Sequence, residues 1–356
     1  MLEAEPILGE LRKDYFLERW VVIEPARAKR PSDFQREVDE VKEGVCYFCP
    51  GNEHLTPPSI YTLVLENNIF IKKQDSDEER VKNWTVRVFP NKFPIVSPEP
   101  NAEHTSYPTE SEPAYGYHYV VVPTPKHEDK FITFSKEQWV IFVEVLRDIT
   151  QFLYGNKVKG VGYVSIFINN GKVAGASIRH PHAQIVTTQN IPPIILNEIM
   201  AYKKQPLFER CAHCSIIRAE TGGPRHIFST KHFMSIAPWA SFNPYEFWIY
   251  PVRHETKFSE INSERIEDLG IMLKIMFGAL GTVLGDVPFN MVFHISPEKK
   301  TTKLLHWHIE VYPRLTTYAG LELGSGIYVN PVPPEQACST LAVAARKEYA
   351  KLYGVE

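Results

Sequence analysis

The sequence lacks the excess of basic residues that nucleic-acid-binding domains usually carry. Its 356 residues include 39 lysines and arginines against 42 aspartates and glutamates, so the formal net charge is -3 at pH 7. This balance argues against nucleic acid as a partner and favours small molecules. Hydrophobic residues make up 44% of the chain, and a chain of this length can bury a large core without disulfides.

The sequence also lacks a hydrophobic run long enough to cross a bilayer. Its most apolar stretch, residues 269–284, is interrupted by Lys274 and is shorter than the roughly 20 residues that a membrane helix needs. The N-terminus reads Met-Leu-Glu-Ala-Glu, which is acidic where a secretory signal would be basic. We therefore expect a cytoplasmic protein that has no membrane partner.

Cysteine is scarce and odd in number, which argues against a disulfide framework. Four of the five cysteines form two C-x-x-C pairs, Cys46 with Cys49 and Cys211 with Cys214. In an intracellular chain this spacing indicates metal or redox chemistry. The fifth, Cys338, is interpreted as an ordinary packed thiol.

One ordered set of motifs occurs twice along the chain. Each half has a C-x-x-C pair, then a histidine in a His-Glu-x-Lys-Phe string, then an H-x-H triplet. The string histidine precedes the triplet by 53 residues in the first half and by 52 in the second. We interpret this as an internal duplication of one supersecondary unit. The matching histidines are His127, His180 and His182 in the first half and His254, His306 and His308 in the second.

The local structure predicted for the two copies is also the same. Runs of β-branched and aromatic residues at 117–122 and 246–250 predict strands that lead into the string histidines. Ser135 and Gln138 form a capping-box pattern before residues at helical spacing, and a counterpart helix begins near Asn262. Further strands are expected before each H-x-H triplet. The expected fold is α+β with a mainly antiparallel sheet, divided into domains at residues 1–195 and 196–356.

Each half offers four ligands of the kind that zinc prefers. Thiolates and imidazoles bind zinc tetrahedrally, and a C-x-x-C turn presents two sulfurs to one ion. Because each set has four protein ligands and leaves no position open, we expect structural rather than catalytic sites. The expected sets are Cys46, Cys49, His127 and His180 in the first half and Cys211, Cys214, His254 and His306 in the second.

The candidate chemistry lies in a glycine- and asparagine-rich segment that ends in the first H-x-H triplet. If a strand ends this segment, His180, His182 and Gln184 project from one face, so one histidine can bind metal while the next points into the cleft. Neutral imidazole is a competent nucleophile towards phosphorus, and Ser177 and Gln184 could hold phosphoryl oxygens. An isolated histidine is more often a buried core residue, but this motif favours His182 as a nucleophile.

The second half lacks the neighbouring residues that favour a nucleophilic histidine in the first half. Glu310 stands where the first half has Gln184, and a Phe-His-Ile-Ser-Pro-Glu segment replaces the glycine-rich loop. His308 is therefore interpreted as a degenerate copy of His182.

These residues resemble the galactose-1-phosphate uridylyltransferase family, in the nucleotidyltransferase branch of the histidine-triad superfamily. The likeness covers residues 20–323 and includes the first C-x-x-C turn and the His-Pro-His-x-Gln motif. It implies two fused histidine-triad units with flanking helices, and a homodimer with active sites near the subunit interface. It also implies that His182 is the nucleophile. The residues that it implies as substrate contacts are Arg27, Arg30, Asn91, Asn169, Ser177 and Gln184.

The resemblance further implies a ping-pong reaction. His182 would attack the α-phosphorus of UDP-glucose and release glucose 1-phosphate, and galactose 1-phosphate would then take the UMP. Residues 320–331 look more like related phosphorylases that use ADP-glucose, so an alternative enzyme would move AMP through the same histidine to inorganic phosphate. A third hypothesis is a non-catalytic zinc module that binds nucleic acid or a protein, and the net charge and the intact motif argue against it.

The second metal has an alternative set of candidate ligands. Some members of that family bind their second metal through one glutamate and three histidines, and Glu198, His294, His306 and His308 match those positions here. This set shares His306 with the thiol set. We prefer the thiol set because it mirrors the first half, and expect two zinc ions per chain, with iron as the alternative at the second site.

Overall fold

The computed structural model describes residues 9–25, 44–100, 105–155, 157–204, 211–298 and 305–355. The helices are α1 (Lys136–Tyr154), α2 (Pro193–Lys204), α3 (Ala212–Glu220), α4 (Ser263–Leu284), α5 (Gly320–Ser325) and α6 (Pro334–Tyr353). The strands are β1 (Glu10–Lys13), β2 (Trp20–Ile23), β3 (Tyr61–Glu66), β4 (Ile69–Lys73), β5 (Trp84–Pro90), β6 (His118–Val122), β7 (Tyr163–Asn170), β8 (Ala183–Thr188), β9 (His226–Ser229), β10 (Phe233–Ile236), β11 (Phe247–Pro251), β12 (Phe289–His294), β13 (His308–Pro313) and β14 (Ile327–Asn330). Among these described helices, none combines the length and the apolar character that a bilayer crossing requires.

Eleven strands form one sheet in the order β4-β3-β5-β6-β8-β7-β12-β13-β11-β10-β9. Every pairing in it is antiparallel. The two halves meet at the β7–β12 pair. On each side of this seam lies the strand that begins at or directly after the end of the H-x-H triplet, and beyond it the strand before the string histidine. His180 and His182 thus precede β8 and do not lie on it. The predicted α+β class with a mainly antiparallel sheet is confirmed. The division after residue 195, which lies within α2, stays a prediction.

Helices α1 and α4 begin at the predicted caps. The Ser135 hydroxyl accepts a hydrogen bond from the Gln138 backbone N–H while the Gln138 side chain accepts from the Ser135 N–H, which is a capping box. The Asn262 side chain accepts from the Arg265 N–H at the start of α4. Such caps satisfy backbone donors that the first helical turn leaves free.

Helices α1, α4 and α6 cover one face of the sheet, and the main hydrophobic core lies between them. Alternate residues of the central strands, such as Tyr119 and Ile185, belong to this core. The residues between them point to the opposite side, because side chains alternate along a strand. We call that opposite side, which carries His118, Gln184 and Asn169, the site face.

In the second half, the site face is covered by protein. Strand β14 pairs with β2 in parallel and β1 pairs with β2 antiparallel, forming a small separate sheet. The connection between β1 and β2 places Phe16 against Ile216 of α3 and Trp248 of β11 in a second apolar cluster. The corresponding surface of the first half has a smaller apolar cover, in which Phe48 of the first C-x-x-C turn packs with Val120 and Val122 of β6.

At Gly270, α4 lies close against α1. A Cβ at this position would lie 2.4 Å from Cγ2 and 3.0 Å from the backbone nitrogen of Val140. Gly270→Ala is therefore expected to force the two helices apart and to lower the free energy of unfolding by about 1–3 kcal/mol, as measured by chemical denaturation. Gly320→Ala, where a Cβ meets nothing within 4 Å, is the control. Equal stability of the two variants would contradict this packing.

Candidate active site and metal clusters

The first predicted metal set comes together in the structure. Its four ligand atoms all lie within 4.8 Å of one another. The Cys49 Sγ is 3.4 Å from Nδ1 of His127 and 3.6 Å from Nδ1 of His180, and the Cys46 Sγ is 3.7 Å from the latter atom. Nε2 of His180 donates to the Thr124 carbonyl over 2.8 Å, which leaves a lone pair on Nδ1 facing the thiols. This donor set fits a metal ion.

The second predicted set also forms. Cys211 caps α3 and Cys214 lies in its first turn, and the Cys214 Sγ is 3.3 Å from Nδ1 of His254 and 3.5 Å from Nδ1 of His306. The hydrogen bond from Cys214, helped by those from His254 and His306, holds the pKa of Cys211 well below its usual range although burial opposes this. A thiolate is the metal-binding form of cysteine. Both clusters are therefore consistent with metal binding.

The rival set is not assembled as predicted. His306 precedes β13 and faces Cys214, whereas His308 begins the strand and pairs with His294 of β12. Glu198, His294 and His308 meet, and the buried Glu310 takes the place predicted for His306. The two metal sets that seemed to compete for His306 thus become two separate clusters.

This third cluster is held together by hydrogen bonds of its own. Nδ1 of His294 is 2.7 Å from Oε1 of Glu198, and Nε2 of His308 is 3.1 Å from Oε1 of Glu310. Burial lowers the pKa of His294, but the Glu198 and Glu310 carboxylates outweigh it and raise that pKa to about 9. A protonated His294 can therefore balance the buried carboxylates.

The candidate nucleophile His182 lies just before β8 and is 6% exposed. Its Nδ1 is 2.9 Å from the His180 carbonyl oxygen. A carbonyl oxygen only accepts, so Nδ1 carries the proton and Nε2 keeps its lone pair. Burial lowers the pKa of His182, which favours the neutral ring. The geometry thus leaves Nε2 in the form that a nucleophile needs.

Beside this histidine, a hydrogen-bonded group of polar residues lies on the site face. Gln184 of β8 is paired with Val120 of β6 and Phe167 of β7. Its Oε1 is 2.8 Å from Nε2 of His118, and Nδ2 of Asn91 is 3.1 Å from the same ring nitrogen. Two predicted substrate contacts, Asn91 and Gln184, are therefore brought together by His118, which was not among the predicted site residues.

Asn169 lies on the same face, two residues from Phe167 along β7. It is paired with Asn290 of β12 across the seam, and Nδ2 of Asn290 donates to Oδ1 of Asn169 over 2.8 Å. Nδ2 of Asn169 is 3.8 Å from where a Cβ of Gly175 would stand. Gly175 has a φ of +88°, a region that favours glycine, so the loop backbone approaches this amide closely.

The remaining predicted contacts are less constrained. Ser177 is exposed in the loop before His180, and its contact with a phosphate stays a prediction. Arg27 and Arg30 lie outside the described residues. Nothing in the sequence could have selected His118 or Asn290, because their importance depends on which strands are neighbours and in which register.

The counterpart of His182 in the second half is built in the same way but is closed off. Nδ1 of His308 is 3.1 Å from the His306 carbonyl oxygen, which mirrors the contact of His182. However, His308 is fully buried, its Nε2 faces Glu310, and its ring stacks on Tyr250 with centroids 4.8 Å apart. This is consistent with the interpretation of His308 as a degenerate copy.

Comparisons with known proteins agree with this architecture. A family model described as a domain of unknown function, DUF4921, matches residues 117–351. ADP-glucose phosphorylase of Arabidopsis thaliana is 32% identical over 93% of this chain and 92% of its own length. Galactose-1-phosphate uridylyltransferase of Thermotoga maritima is 28% identical over 93% of this chain and 97% of its own. The crystal structure of the Arabidopsis phosphorylase with bound ADP-glucose superposes with a TM-score of 0.74 and 29% identity, covering 94% of this chain and 99% of that one.

Proposed function

This chain belongs to the galactose-1-phosphate uridylyltransferase family, and on that basis we propose that His182 accepts a nucleoside monophosphate from a nucleotide sugar and passes it to a second phosphate. Enzymes of nucleotidyl transfer and of phosphorolysis both occur among its relatives. The single observation that carries the proposal is the protonated Nδ1 of His182, held by the His180 carbonyl, because it leaves Nε2 as the nucleophilic atom.

In the first step, Nε2 of His182 attacks the α-phosphorus of the nucleotide sugar. A nitrogen–phosphorus bond forms, and the bond to the bridging oxygen breaks, with its electron pair leaving on the hexose 1-phosphate. The positive charge that develops on the ring is stabilised by the Nδ1–H bond to the His180 carbonyl. A phosphate oxygen of the acceptor then attacks the same phosphorus, and Nε2 leaves with its electron pair.

The remaining residues act by placing the phosphoryl group, since phosphoryl transfer depends mainly on position and charge stabilisation. Gln184 and Asn169 stand on the site face next to the glycine loop, where amide hydrogens can reach phosphoryl oxygens. Asn91 lies beside His118 of the site face and is a candidate for contact with the nucleotide. The two Cys/His clusters would hold zinc in a structural role, one of them through His180, which fixes the start of β8.

For the donor and acceptor, we propose UDP-glucose and galactose 1-phosphate first, as the His-Pro-His-x-Gln motif and the Thermotoga relative suggest. A second candidate is transfer of AMP from ADP-glucose to inorganic phosphate. It is favoured by the 32% identity to the Arabidopsis phosphorylase and by the segment that forms α5 and β14. Both candidates use His182 in the same way, and in both we propose a homodimer as the working form.

Intact-protein mass spectrometry after brief incubation with one nucleotide sugar at a time distinguishes the two candidates. We expect the chain to gain one UMP from UDP-glucose, and the adduct to disappear when galactose 1-phosphate is added. Gain of AMP from ADP-glucose, discharged by inorganic phosphate, would instead assign the second candidate. Absence of an adduct from both donors would contradict the proposed function.

A further inference from the structure

We infer that His118 and Asn290 are positioning residues, each of which binds the amide oxygen of a neighbouring side chain so that its amino group faces the substrate phosphoryl group. His118 acts on Gln184 and Asn290 acts on Asn169. This inference rests on the proposed function, and it assigns two residues that do not themselves touch the substrate.

The orientation of Gln184 follows from the backbone beside His118. The N–H of Ile95 donates to Nδ1 of His118 over 3.3 Å, so Nδ1 is the bare nitrogen of the ring. His118 is 6% exposed and burial lowers its pKa, which favours the neutral ring with its one proton on Nε2. Nε2 therefore donates to the nearer acceptor, Oε1 of Gln184, over 2.8 Å.

With its oxygen engaged in this way, Gln184 has only its amino group left to present. The Asn91 amide is oriented by the backbone instead, because its Oδ1 accepts from the Phe93 N–H over 2.9 Å.

Asn169 is oriented by the same principle from the other half of the chain. The Ala174 carbonyl can only accept, so the atom of Asn290 that lies 2.8 Å from it is Nδ2. The second hydrogen of that amino group goes to Oδ1 of Asn169 over 2.8 Å. Nη1 of Arg314 lies 3.4 Å from Oδ1 of Asn290, and this contact holds the oxygen end of the Asn290 amide.

The chemistry explains why this orientation matters. An amide can turn either its oxygen or its nitrogen towards a ligand, and an oxygen aimed at an anionic phosphoryl group repels it. Donors that are oriented before the reaction need no rearrangement as charge develops in the transition state. The covered second half illustrates the opposite case, because Glu310, the counterpart of Gln184, can offer no amide hydrogen.

The test for His118 is a double-mutant cycle with Gln184. The measured quantities are the rate constant of adduct formation on His182 at saturating UDP-glucose or ADP-glucose, whichever labels the chain, and the half-saturating donor concentration. His118→Leu should lower the rate about 10- to 100-fold and change half-saturation by less than about threefold. On a Gln184→Ala background the same substitution should change the rate less than about twofold. Fully additive effects would overturn the inference.

Two further variants distinguish positioning from packing. The Gln side chain can place an amide nitrogen near the position of Nε2, so His118→Gln should recover most of the lost rate. Val120→Ala removes bulk directly opposite Gln184 without breaking a hydrogen bond, and is expected to cost less than about threefold. A Val120→Ala loss as large as that of His118→Leu would point to packing alone and overturn the positioning role.

Asn290→Asp is the matched test in the other half. The carboxylate keeps the shape and the acceptor for Arg314 but cannot donate to Asn169 or to the Ala174 carbonyl. It should lower the same rate constant about 10-fold or more, while circular dichroism shows a folded chain and zinc content stays close to that of the parent chain. An unchanged rate would remove Asn290 from the inference.

A spectroscopic measurement separates this inference from the proposed function. In the full chain with ¹⁵N-labelled histidine, the His118 ring, assigned by its absence in His118→Leu, should show the Nε2–H tautomer and stay neutral at pH 7. An Nδ1–H tautomer or an imidazolium overturns the role of His118 whether or not a nucleotide adduct forms. A chain that shows the expected tautomer but gains no adduct would refute the proposed function alone.

Discussion

His182→Asn is expected to abolish nucleotidyl transfer, lowering the rate by about four to six orders of magnitude, as removal of a covalent nucleophile does elsewhere. The substitution is conservative in structure, because Nδ2 of asparagine can replace Nδ1 of the ring as the donor to the His180 carbonyl. It nevertheless leaves no nitrogen in the place of Nε2. Intact mass after incubation with the nucleotide sugar should show no adduct, while circular dichroism and zinc content stay unchanged.

The matched control is His308→Asn, at the mirrored position of the second half. There the same replacement can keep the contact with the His306 carbonyl, and His308 has no access to substrate because it is fully buried beneath the second apolar cluster. The adduct should therefore still form at a rate within a few-fold of the parent chain. An adduct that still forms in His182→Asn but not in His308→Asn would show that the nucleophile lies in the second half, and would contradict the assignment of His182.

Loss of either Cys/His cluster is the second large effect. Elemental analysis should give close to two zinc ions per chain, and Cys49→Ser or Cys214→Ser should each remove about one. Structural zinc contributes folding free energy, so we expect the melting temperature to fall by about 10 °C or more. Cys49→Ser should also slow transfer severely, because His180 belongs to that cluster. The His180 carbonyl accepts the hydrogen bond from Nδ1 of His182, and His180 fixes the segment that leads into β8.

Cys338→Ser controls for the loss of a thiol as such. Cys338 is 4% exposed within the main core, apart from both clusters, so zinc content should not change. One zinc and one iron per chain, with the iron retained in Cys214→Ser, would show that the cluster of Glu198 and His294 holds the second metal instead.

Those parts of the fold that are encoded by local pattern were predictable from the sequence. The helix that begins after Ser135 was marked by its capping pair and its apolar spacing, and β12 is the strand that was expected before the second H-x-H triplet. The two C-x-x-C sets were found because a duplicated order of ligands is visible without any structure.

Features that depend on contacts distant in sequence were not predictable. Helices α2 and α3 cover the second half. The duplicated motifs did not predict them, because those motifs include no helix at these positions. The placement of Phe16 over Trp248 joins residues more than 200 positions apart. His306 also lies in both predicted ligand sets, and only the three-dimensional path of the chain between α3 and β13 assigns it to the thiols.

The β7–β12 seam has an evolutionary consequence. A duplicated unit that kept an independent sheet could later be lost or exchanged, but here the strand pairs run without interruption from one copy into the other, and the main core extends across both. Asn290 of the second copy is hydrogen-bonded to Asn169 of the first. We therefore expect that neither copy, expressed alone, would fold into a stable unit, because each would expose an unpaired central strand and its share of the common core.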